Sequence, residues 1–359
     1  MNELFEPVTV GRLELPNRLF MSPMTRSRAA EGAVPTELAV EYYAQRAAAG
    51  LIISEGTQPS VIGQGYIDTP GLHSEEQIAG WRKVTDAVHA RGGRMFAQLM
   101  HSGRVGHPWL YPDGALPHGP SAIASGERLY TPEGLLEHPA PKEMTLADIA
   151  ATVDDFVAAA GNALAAGFDG VELHGANGYL IHQFLCGSAN ARTDAYGGSV
   201  DNRIRLAVEV AQAVGDAIGP ERVGFRISPR NPSNGIRERD SDELYPALAR
   251  ALSRYGLAYL HIMEWDRELT KVIRATWPGT LILNPKAEPG AQSGTPEQAA
   301  AALREGLADA VTLGAYWLAN PDLPARIKAG GPYNLADPAT FYGGDHRGYT
   351  DYPVLVGSR

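Results

Sequence analysis

Short apolar segments alternate with longer amphipathic segments along most of this chain. The longer segments have the periodicity of helices, whereas the short ones have the length of buried strands. A strand followed by a helix, repeated many times, predicts parallel strands with helices outside them. Eight strands are the number that closes a (β/α)8 barrel, and the predicted strands are residues 19–22, 51–55, 94–99, 170–174, 223–228, 259–263, 280–283 and 310–313.

Polar residues mark the starts of the predicted helices. The first turn of a helix leaves backbone N–H groups unpaired, and a serine or threonine just before it can accept a hydrogen bond from one of them. A glutamine three residues after such a cap completes a capping box, and a proline suits the first helical position. The expected N-caps are Thr36, Ser74, Thr145, Ser199, Ser241 and Thr295.

Two segments do not fit a plain repeat of strand and helix. Residues 103–142 follow the third predicted strand and are too long for an ordinary connection, so we expect a lid or short hairpin over the top face. Residues 331–359 lack a helical period and are expected to pack as an extension over the outside or rim. Barrels of this kind often exceed about 250 residues as one unit. We therefore predict a single TIM-barrel domain over residues 1–359.

Composition and charge narrow the function. The formal net charge is -10 and lysine and arginine form no stripe, which argues against a nucleic-acid partner. Cys186 is the only cysteine, so an intrachain disulfide, a thiolate zinc site and a four-cysteine iron–sulfur cluster are not expected. No segment has the length and apolarity of a transmembrane helix. We expect a cytoplasmic monomer or small homo-oligomer that acts on a small molecule without a bound metal or membrane.

Polar residues occupy the carboxyl ends of the predicted strands, where the active sites of barrels lie. Thr25 follows the first strand, Gln98 ends the third, His174 ends the fourth and Arg226 lies in the fifth. Polar side chains inside a strand need partners, because an unpaired buried polar group is costly. A large polar ligand in the mouth of the barrel would supply partners for Gln98 and Arg226.

The most informative local motif is HGANGY at residues 174–179. Its glycines permit a tight loop that can aim the imidazole of His174 and the amide of Asn177 at one ligand oxygen. The phenol of Tyr179 would then be free to donate a proton to a neighbouring carbon. Taken alone, the motif also fits a structural interpretation, in which His174 satisfies core hydrogen bonds and Tyr179 is a rim aromatic.

Together with its surroundings, the motif resembles the signature of the Old Yellow Enzyme family of flavin-dependent ene-reductases. The resemblance begins with residues 174–185 (HGANGYLIHQFL) and 190–199 (NARTDAYGGS). It covers nearly the whole chain, because further matching segments are 17–26 (NRLFMSPMTR), 70–74 (PGLHS), 98–104 (QLMHSGR), 318–323 (LANPDL) and 349–353 (YTDYP).

The resemblance implies a reaction and a role for each residue. A nicotinamide, NADH or NADPH, would reduce FMN, and hydride would then pass to the β-carbon of an activated alkene such as an enone, enal or nitroalkene. His174 and Asn177 would hold the substrate oxygen, and Tyr179 would protonate the α-carbon. Tyr66 and Met100 would lie in the substrate pocket. The residues that would contact the flavin are Pro23, Met24, Thr25, Gly56, Gln98, Arg226 and Gly314.

The chain departs from the family pattern where the flavin phosphate would lie. The resemblance implies glycines after the seventh strand and a Gly–Arg pair after the eighth, but the chain has a longer loop at 284–294 (NPKAEPGAQSG) and follows Gly314 with Ala315. A lost charge-assisted contact costs about 1.5 to 3 kcal/mol, which Lys286 could partly offset. Three possibilities follow: FMN with a reworked phosphate site, a deazaflavin, or a cofactor-free barrel that isomerises or binds a ligand. We favour FMN because the residues expected around the ring are all present.

Overall fold

The computed structural model describes residues 1–288 and 293–355 of the chain. Its strands are β1 (Val8–Val10), β2 (Leu13–Leu15), β3 (Leu19–Met21), β4 (Ile52–Ile53), β5 (Met95–Leu99), β6 (His118–Gly119), β7 (Arg128–Thr131), β8 (Gly134–Glu137), β9 (Lys142–Glu143), β10 (Gly170–His174), β11 (Val223–Ile227), β12 (Tyr259–Met263), β13 (Leu281–Asn284) and β14 (Ala310–Leu313). Its α-helices are α1 (Glu37–Gln45), α2 (Glu75–His89), α3 (Leu146–Ala165), α4 (Leu180–Leu185), α5 (Val200–Arg203), α6 (Arg205–Ile218), α7 (Ser241–Leu252), α8 (Arg267–Thr276), α9 (Pro296–Arg304), α10 (Ala315–Ala319) and α11 (Leu323–Ala329).

Eight of these strands close into a parallel barrel, which confirms the predicted (β/α)8 fold. The strands β3 to β5 and β10 to β14 pair in sequence order, and β14 pairs with β3 to complete the ring. At least one helix lies between each pair of successive barrel strands. The carboxyl ends of all eight strands therefore lie at one end of the barrel.

The helices begin largely as the sequence predicts. Three expected caps form complete capping boxes and a fourth accepts a backbone hydrogen bond; they are Ser74, Thr145, Thr295 and Ser199. Thr36 precedes α1 but makes no side-chain cap bond. The prediction for Ser241 is wrong, because Asp240 is the N-cap of α7. The Ser241 hydroxyl instead donates to the carboxylate of Glu238 at 2.8 Å.

The interior of the barrel has an apolar layer below a polar one. The apolar layer packs against the β1–β2 hairpin and includes Phe20, Phe96, Tyr259, Ile282 and Ala310. Alternate residues of a strand point to the same face, so the side chains two positions further along also point inward. Those residues are polar on the same five strands: Ser22, Gln98, His261, Asn284 and Thr312.

Residues 103–142 form a small structure of their own that contacts the segments following β4, β10 and β11. They contain the antiparallel hairpin β7–β8 and the strand β6, which pairs with β9. Buried arginines hold the segment through backbone carbonyls: Arg104 donates to Ile123 and to Asn234, and Arg192 donates to Pro120. A lid role for this segment stays a prediction.

The C-terminal segment, described to residue 355, packs against the chain that follows β3. Arg26 donates to the carbonyls of Phe341 at 2.9 Å and Gly348 at 2.9 Å. The ring of Tyr349 stacks on that of Tyr42 with centroids 4.2 Å apart. These contacts bring residues 340–349 to the end of the barrel that carries the polar layer.

Two features are absent from residues 1–288 and 293–355, the part of the chain that the structure describes. No helix there is both long enough and apolar enough to cross a membrane. No group of three or more histidine, cysteine, aspartate or glutamate side chains there could hold a metal ion.

Candidate active site

A cavity of about 750 Å³ lies at the carboxyl ends of the barrel strands. Its lining includes every predicted site residue except Tyr66, whose hydroxyl oxygen lies 2.9 Å from that of Tyr179. Phe341 and Tyr342, from the C-terminal segment, also line it. The predicted residues in the lining are Pro23, Met24, Thr25, Gly56, Gln98, Met100, His174, Asn177, Tyr179, Arg226 and Gly314.

A buried polar cluster that was not predicted connects Gln98 to Arg226. The carboxylate of Glu172 accepts hydrogen bonds from Gln98 Nε2 at 2.8 Å and from His261 Nδ1 at 2.7 Å. With its hydrogen on Nδ1, His261 has a free lone pair on Nε2. Thr312 Oγ1 lies 3.0 Å from that nitrogen, and Arg226 Nη1 lies over the ring, 2.7 Å from Nε2 and 3.0 Å from Nδ1. Two residues predicted to contact the flavin therefore share one buried network.

Burial and neighbouring charges set the ionisation of this cluster. Burial, reinforced by Arg226, lowers the pKa of His261 to about 4, so the imidazole is neutral at pH 7. Burial opposes ionisation of Glu172, but His261 and Arg226 outweigh it and lower its pKa to about 2. The Glu172–His261 contact is thus a neutral imidazole donating to a carboxylate, and the carboxylate balances the guanidinium.

The loop after β10 presents two hydrogen-bond donors to the cavity. The backbone N–H of Ala176 donates to His174 Nδ1 at 3.2 Å, so the hydrogen of the neutral ring is on Nε2. Burial and the charge of Arg226 lower the pKa of His174 to about 3, which keeps the ring neutral. Asn177 Nδ2 contacts only Met263 Sδ, at 3.3 Å, and within the described chain its Oδ1 has no partner. Both side chains are available to a ligand.

Tyr179 stands beside these donors with its hydroxyl in a small polar group. Its ring centroid is 4.9 Å from that of His174. Burial, with the adjacent Tyr66, raises the pKa of Tyr179 well above its ordinary value, so the phenol keeps its proton. The side chain of Asn234 lies close enough to this group to influence the pKa of Tyr179, and it donates to the carbonyl of Asn177 at 2.7 Å. Asn234 was not predicted, because nothing in its local sequence marks it.

One side of the cavity is formed by the segments that follow β13 and β14. These are the segments in which the sequence departs from the family pattern. Gly314 and Ala315, at the start of α10, line this side together with Lys286. The Lys286 ammonium lies 5.6 Å from the centroid of the Trp265 ring. Residues 289–292 of the predicted longer loop lie outside the described residues. Among the residues described in the lining, Arg226 and Lys286 supply the fixed cations.

A closed barrel with polar groups gathered at its carboxyl end defines a barrel enzyme with a ligand site in its mouth. The chain belongs to the NADH:flavin oxidoreductase / NADH oxidase family, whose model matches residues 3–334. This finding confirms the predicted enzyme class and the flavin cofactor.

Individual relatives are similar to this chain over nearly its whole length. A probable flavin mononucleotide-dependent alkene reductase of Leishmania infantum is 43% identical over 98% of this chain and 97% of the relative. The structure of morphinone reductase in complex with tetrahydroNAD is 43% identical, covers 99% of this chain and 98% of that one, and has a TM-score of 0.92. The old yellow enzyme homologue of Zymomonas mobilis is 39% identical over 98% of this chain and 100% of its own, with a TM-score of 0.93. The resemblance to the Old Yellow Enzyme family is confirmed.

Proposed function

We propose that this protein is an FMN-dependent ene-reductase that reduces the activated carbon–carbon double bond of an enone, enal or nitroalkene at the expense of a nicotinamide. One observation carries the proposal. The neutral donors of His174 and Asn177 and the protonated phenol of Tyr179 lie in the same cavity as the buried pair Gln98 and Arg226. A site that binds an electron-rich oxygen beside a proton donor suits the polarisation and protonation of such an alkene.

The residues of the cavity fit the flavin ring. Arg226 is a buried cation and Gln98 a buried amide, and each engages Glu172 or His261 with only part of its hydrogen-bonding capacity. Ser22 Oγ is buried in the lining with no partner in the described chain. These groups match a flat ligand with a polar pyrimidine edge, and Arg226 would stabilise negative charge on that edge.

The walls of the cavity complete the fit. A Cβ at Gly56 would lie 2.6 Å from Met100 Sδ, so glycine leaves space where the wall is narrow. Pro23, Met24 and Thr25 line the cavity after β3, and Thr25 would bond the C4 carbonyl of the ring. At the phosphate end, Gly314 would supply backbone contacts, and Lys286 would supply charge in place of an arginine at Ala315.

Each catalytic side chain has one task in this proposal. When bound, FMN would supply the redox chemistry that links oxidation of the nicotinamide to reduction of the alkene. His174 Nε2–H and Asn177 Nδ2–H donate to the substrate oxygen and withdraw electron density from the double bond. Tyr179 Oη holds the proton for the α-carbon. Tyr66 contacts the Tyr179 hydroxyl and completes the substrate pocket with Met100.

The similarity to a flavin mononucleotide-dependent alkene reductase favours FMN over a deazaflavin and over a cofactor-free isomerase. The absorption spectrum of purified protein should show the flavin bands near the visible maxima of FMN. Anaerobic addition of NADPH or NADH should bleach them, and 2-cyclohexenone or a nitroalkene should restore them with one saturated product per flavin. Apoprotein that takes up no FMN on titration would defeat the cofactor assignment. Reduced holoprotein that no activated alkene reoxidises would defeat the ene-reductase assignment.

A further inference from the structure

The loop that carries the donors has a backbone that its surroundings must hold in place. Asn177 has φ 56° and Gly178 has φ 79°, both in the left-handed region. This region is unfavourable for a residue with a side chain, so it persists only where neighbouring groups fix it. The Asn177 N–H donates to Ser228 Oγ at 2.8 Å, and its carbonyl accepts from Asn234. The backbone on the N-terminal side of Gly178 is therefore held by side chains from the segment that follows β11.

Gly178 itself is held by two side chains of helix α4. Its carbonyl accepts from Gln183 Nε2 at 2.7 Å, and its N–H donates to His182 Nδ1 at 3.0 Å. A backbone N–H can only donate, so Nδ1 of His182 must be unprotonated and the ring hydrogen is on Nε2. The contact with Gly178 thus depends on which tautomer of His182 is present.

Glu238 selects that tautomer. Its Oε1 lies 2.7 Å from His182 Nε2 and also accepts from the Tyr245 hydroxyl. Its Oε2 accepts from the backbone N–H of Arg230 at 2.6 Å and from Ser241 Oγ. Burial opposes ionisation of Glu238, but the bonds from His182 and Tyr245 outweigh it and hold the pKa of the carboxyl below its ordinary value. A carboxylate at this place favours a hydrogen on Nε2.

These polar groups are buried outside the cavity. The side chains of His182 and Glu238 are 0% and 2% exposed, and neither residue lines the cavity. Burying an imidazole and a carboxylate costs desolvation energy, and apolar side chains would fill such a space at less cost. The pair ends at the backbone of Gly178, the residue immediately before Tyr179.

From this geometry we propose that Glu238 and His182 are positioning residues for the proton donor. The carboxylate fixes the imidazole tautomer, the imidazole fixes the Gly178 N–H, and Gly178 sets where the Tyr179 hydroxyl lies relative to His174. The inference rests on the proposed ene-reductase function. Displacing a reacting group by about 1 Å can slow a reaction about 100-fold, so loosening Gly178 should slow protonation of the alkene. It should leave reduction of the flavin by the nicotinamide largely unchanged.

Two matched variants of His182 each remove one of its two contacts, either the bond from Gly178 or the bond to Glu238. In His182→Asn the side-chain oxygen occupies the place of Nδ1 and keeps the bond from Gly178, but the bond to Glu238 is lost. In His182→Gln the amide nitrogen occupies the place of Nε2 and keeps the bond to Glu238, but the bond from Gly178 is lost. Both substitutions are polar, and urea unfolding of the FMN-loaded proteins would establish that each is folded.

Stopped-flow measurement of the two half-reactions tests the proposal on the holoenzyme. We expect His182→Gln to slow alkene reduction by about 10- to 100-fold, with flavin reduction within about threefold of wild type. His182→Asn should keep alkene reduction within about fivefold of wild type. Equal effects of the two variants, equal slowing of both half-reactions, or an unimpaired His182→Gln would overturn the positioning role. A wild type that binds FMN but reduces no alkene would instead remove the proposed function, and this inference with it.

Discussion

Replacing Glu172 by glutamine tests the polar cluster that joins Gln98 to Arg226. The carboxylate accepts from Gln98 and from His261 with both oxygens, whereas the glutamine amide has a single acceptor oxygen. One of the two donors therefore loses its partner, which costs about 1 to 3 kcal/mol for a buried group. The substitution also removes the buried negative charge that offsets Arg226, which adds to that cost.

The pKa of Glu172 shows the direction in which pH acts. Its neighbours lower it from the ordinary value of 4.5 to about 2 in the folded chain, so the ionised carboxyl stabilises the folded state. Because the folded pKa is the lower one, this stabilisation is present above pH 4.5 and is lost as the pH falls towards 2. We expect Glu172→Gln to lower the free energy of unfolding by about 1 to 3 kcal/mol at neutral pH. The difference from wild type should be smaller at about pH 3.5 than at neutral pH, because the carboxyl of the wild type then contributes less stabilisation.

Urea unfolding of apoprotein at the two pH values measures both quantities without a contribution from flavin binding. Glu143→Gln is the matched control, because Glu143 is exposed in β9 and should change the free energy of unfolding by less than about 0.5 kcal/mol. The reasoning would be refuted by a loss under about 1 kcal/mol for Glu172→Gln, or by a loss that does not depend on pH.

Three further substitutions test the cavity itself. Tyr179→Phe should slow alkene reduction by about 10² to 10⁴ while flavin reduction is nearly intact, since only the alkene step needs the proton; stopped-flow traces with both steps equally slowed would contradict the donor role. Phenolic ligands should bind over the flavin, with their oxygen held by His174 and Asn177, and should give a long-wavelength charge-transfer band. His174→Ala should weaken their binding, measured through that band, by about tenfold or more; an unchanged affinity would place the ligand oxygen elsewhere. Ala315→Arg should tighten FMN by about 10- to 100-fold and riboflavin not at all, by titration of apoprotein. Equal gains would mean an effect on folding, and no gain for FMN would mean that another group such as Lys286 already binds the phosphate.

The donor loop could be predicted because its chemistry is local. His174, Asn177 and Tyr179 are close in sequence, and the glycines among them permit the turn that brings their side chains to one cavity. The barrel could be predicted for a similar reason, since each strand and each helix has its own periodicity. Strand ends were less accurate: residues 51–55 were expected, but β4 covers only Ile52–Ile53. The side chain of Glu55 instead accepts from Tyr43 and from the backbone of Arg26.

The partners of the predicted residues could not be predicted from local patterns. Glu172 and His261 are 89 positions apart, and their contact depends on the register of β10, β11 and β12. The sequence did contain one signal that Glu172 belongs to the site. Glu172 lies two residues before His174 in the same strand, so both side chains must face inward. Phe341 had no such signal. It reaches the cavity because Arg26, 315 positions away, binds its carbonyl.

The same distinction explains why the proposed ring end of the site follows the family pattern while the proposed phosphate end departs from it. Gln98 and Arg226 lie within barrel strands, where Glu172 and His261 contact them and any change would leave a buried charge or amide unpaired. Ala315 and Lys286 lie beyond the ends of β14 and β13, beside open space in the cavity, where a side chain can change without disturbing a buried partner. Loops beyond strand ends tolerate such replacements far better than strand interiors do. Loss of an arginine at Ala315 is therefore compatible with an intact ring site, and it argues for a reworked phosphate contact rather than for loss of the flavin.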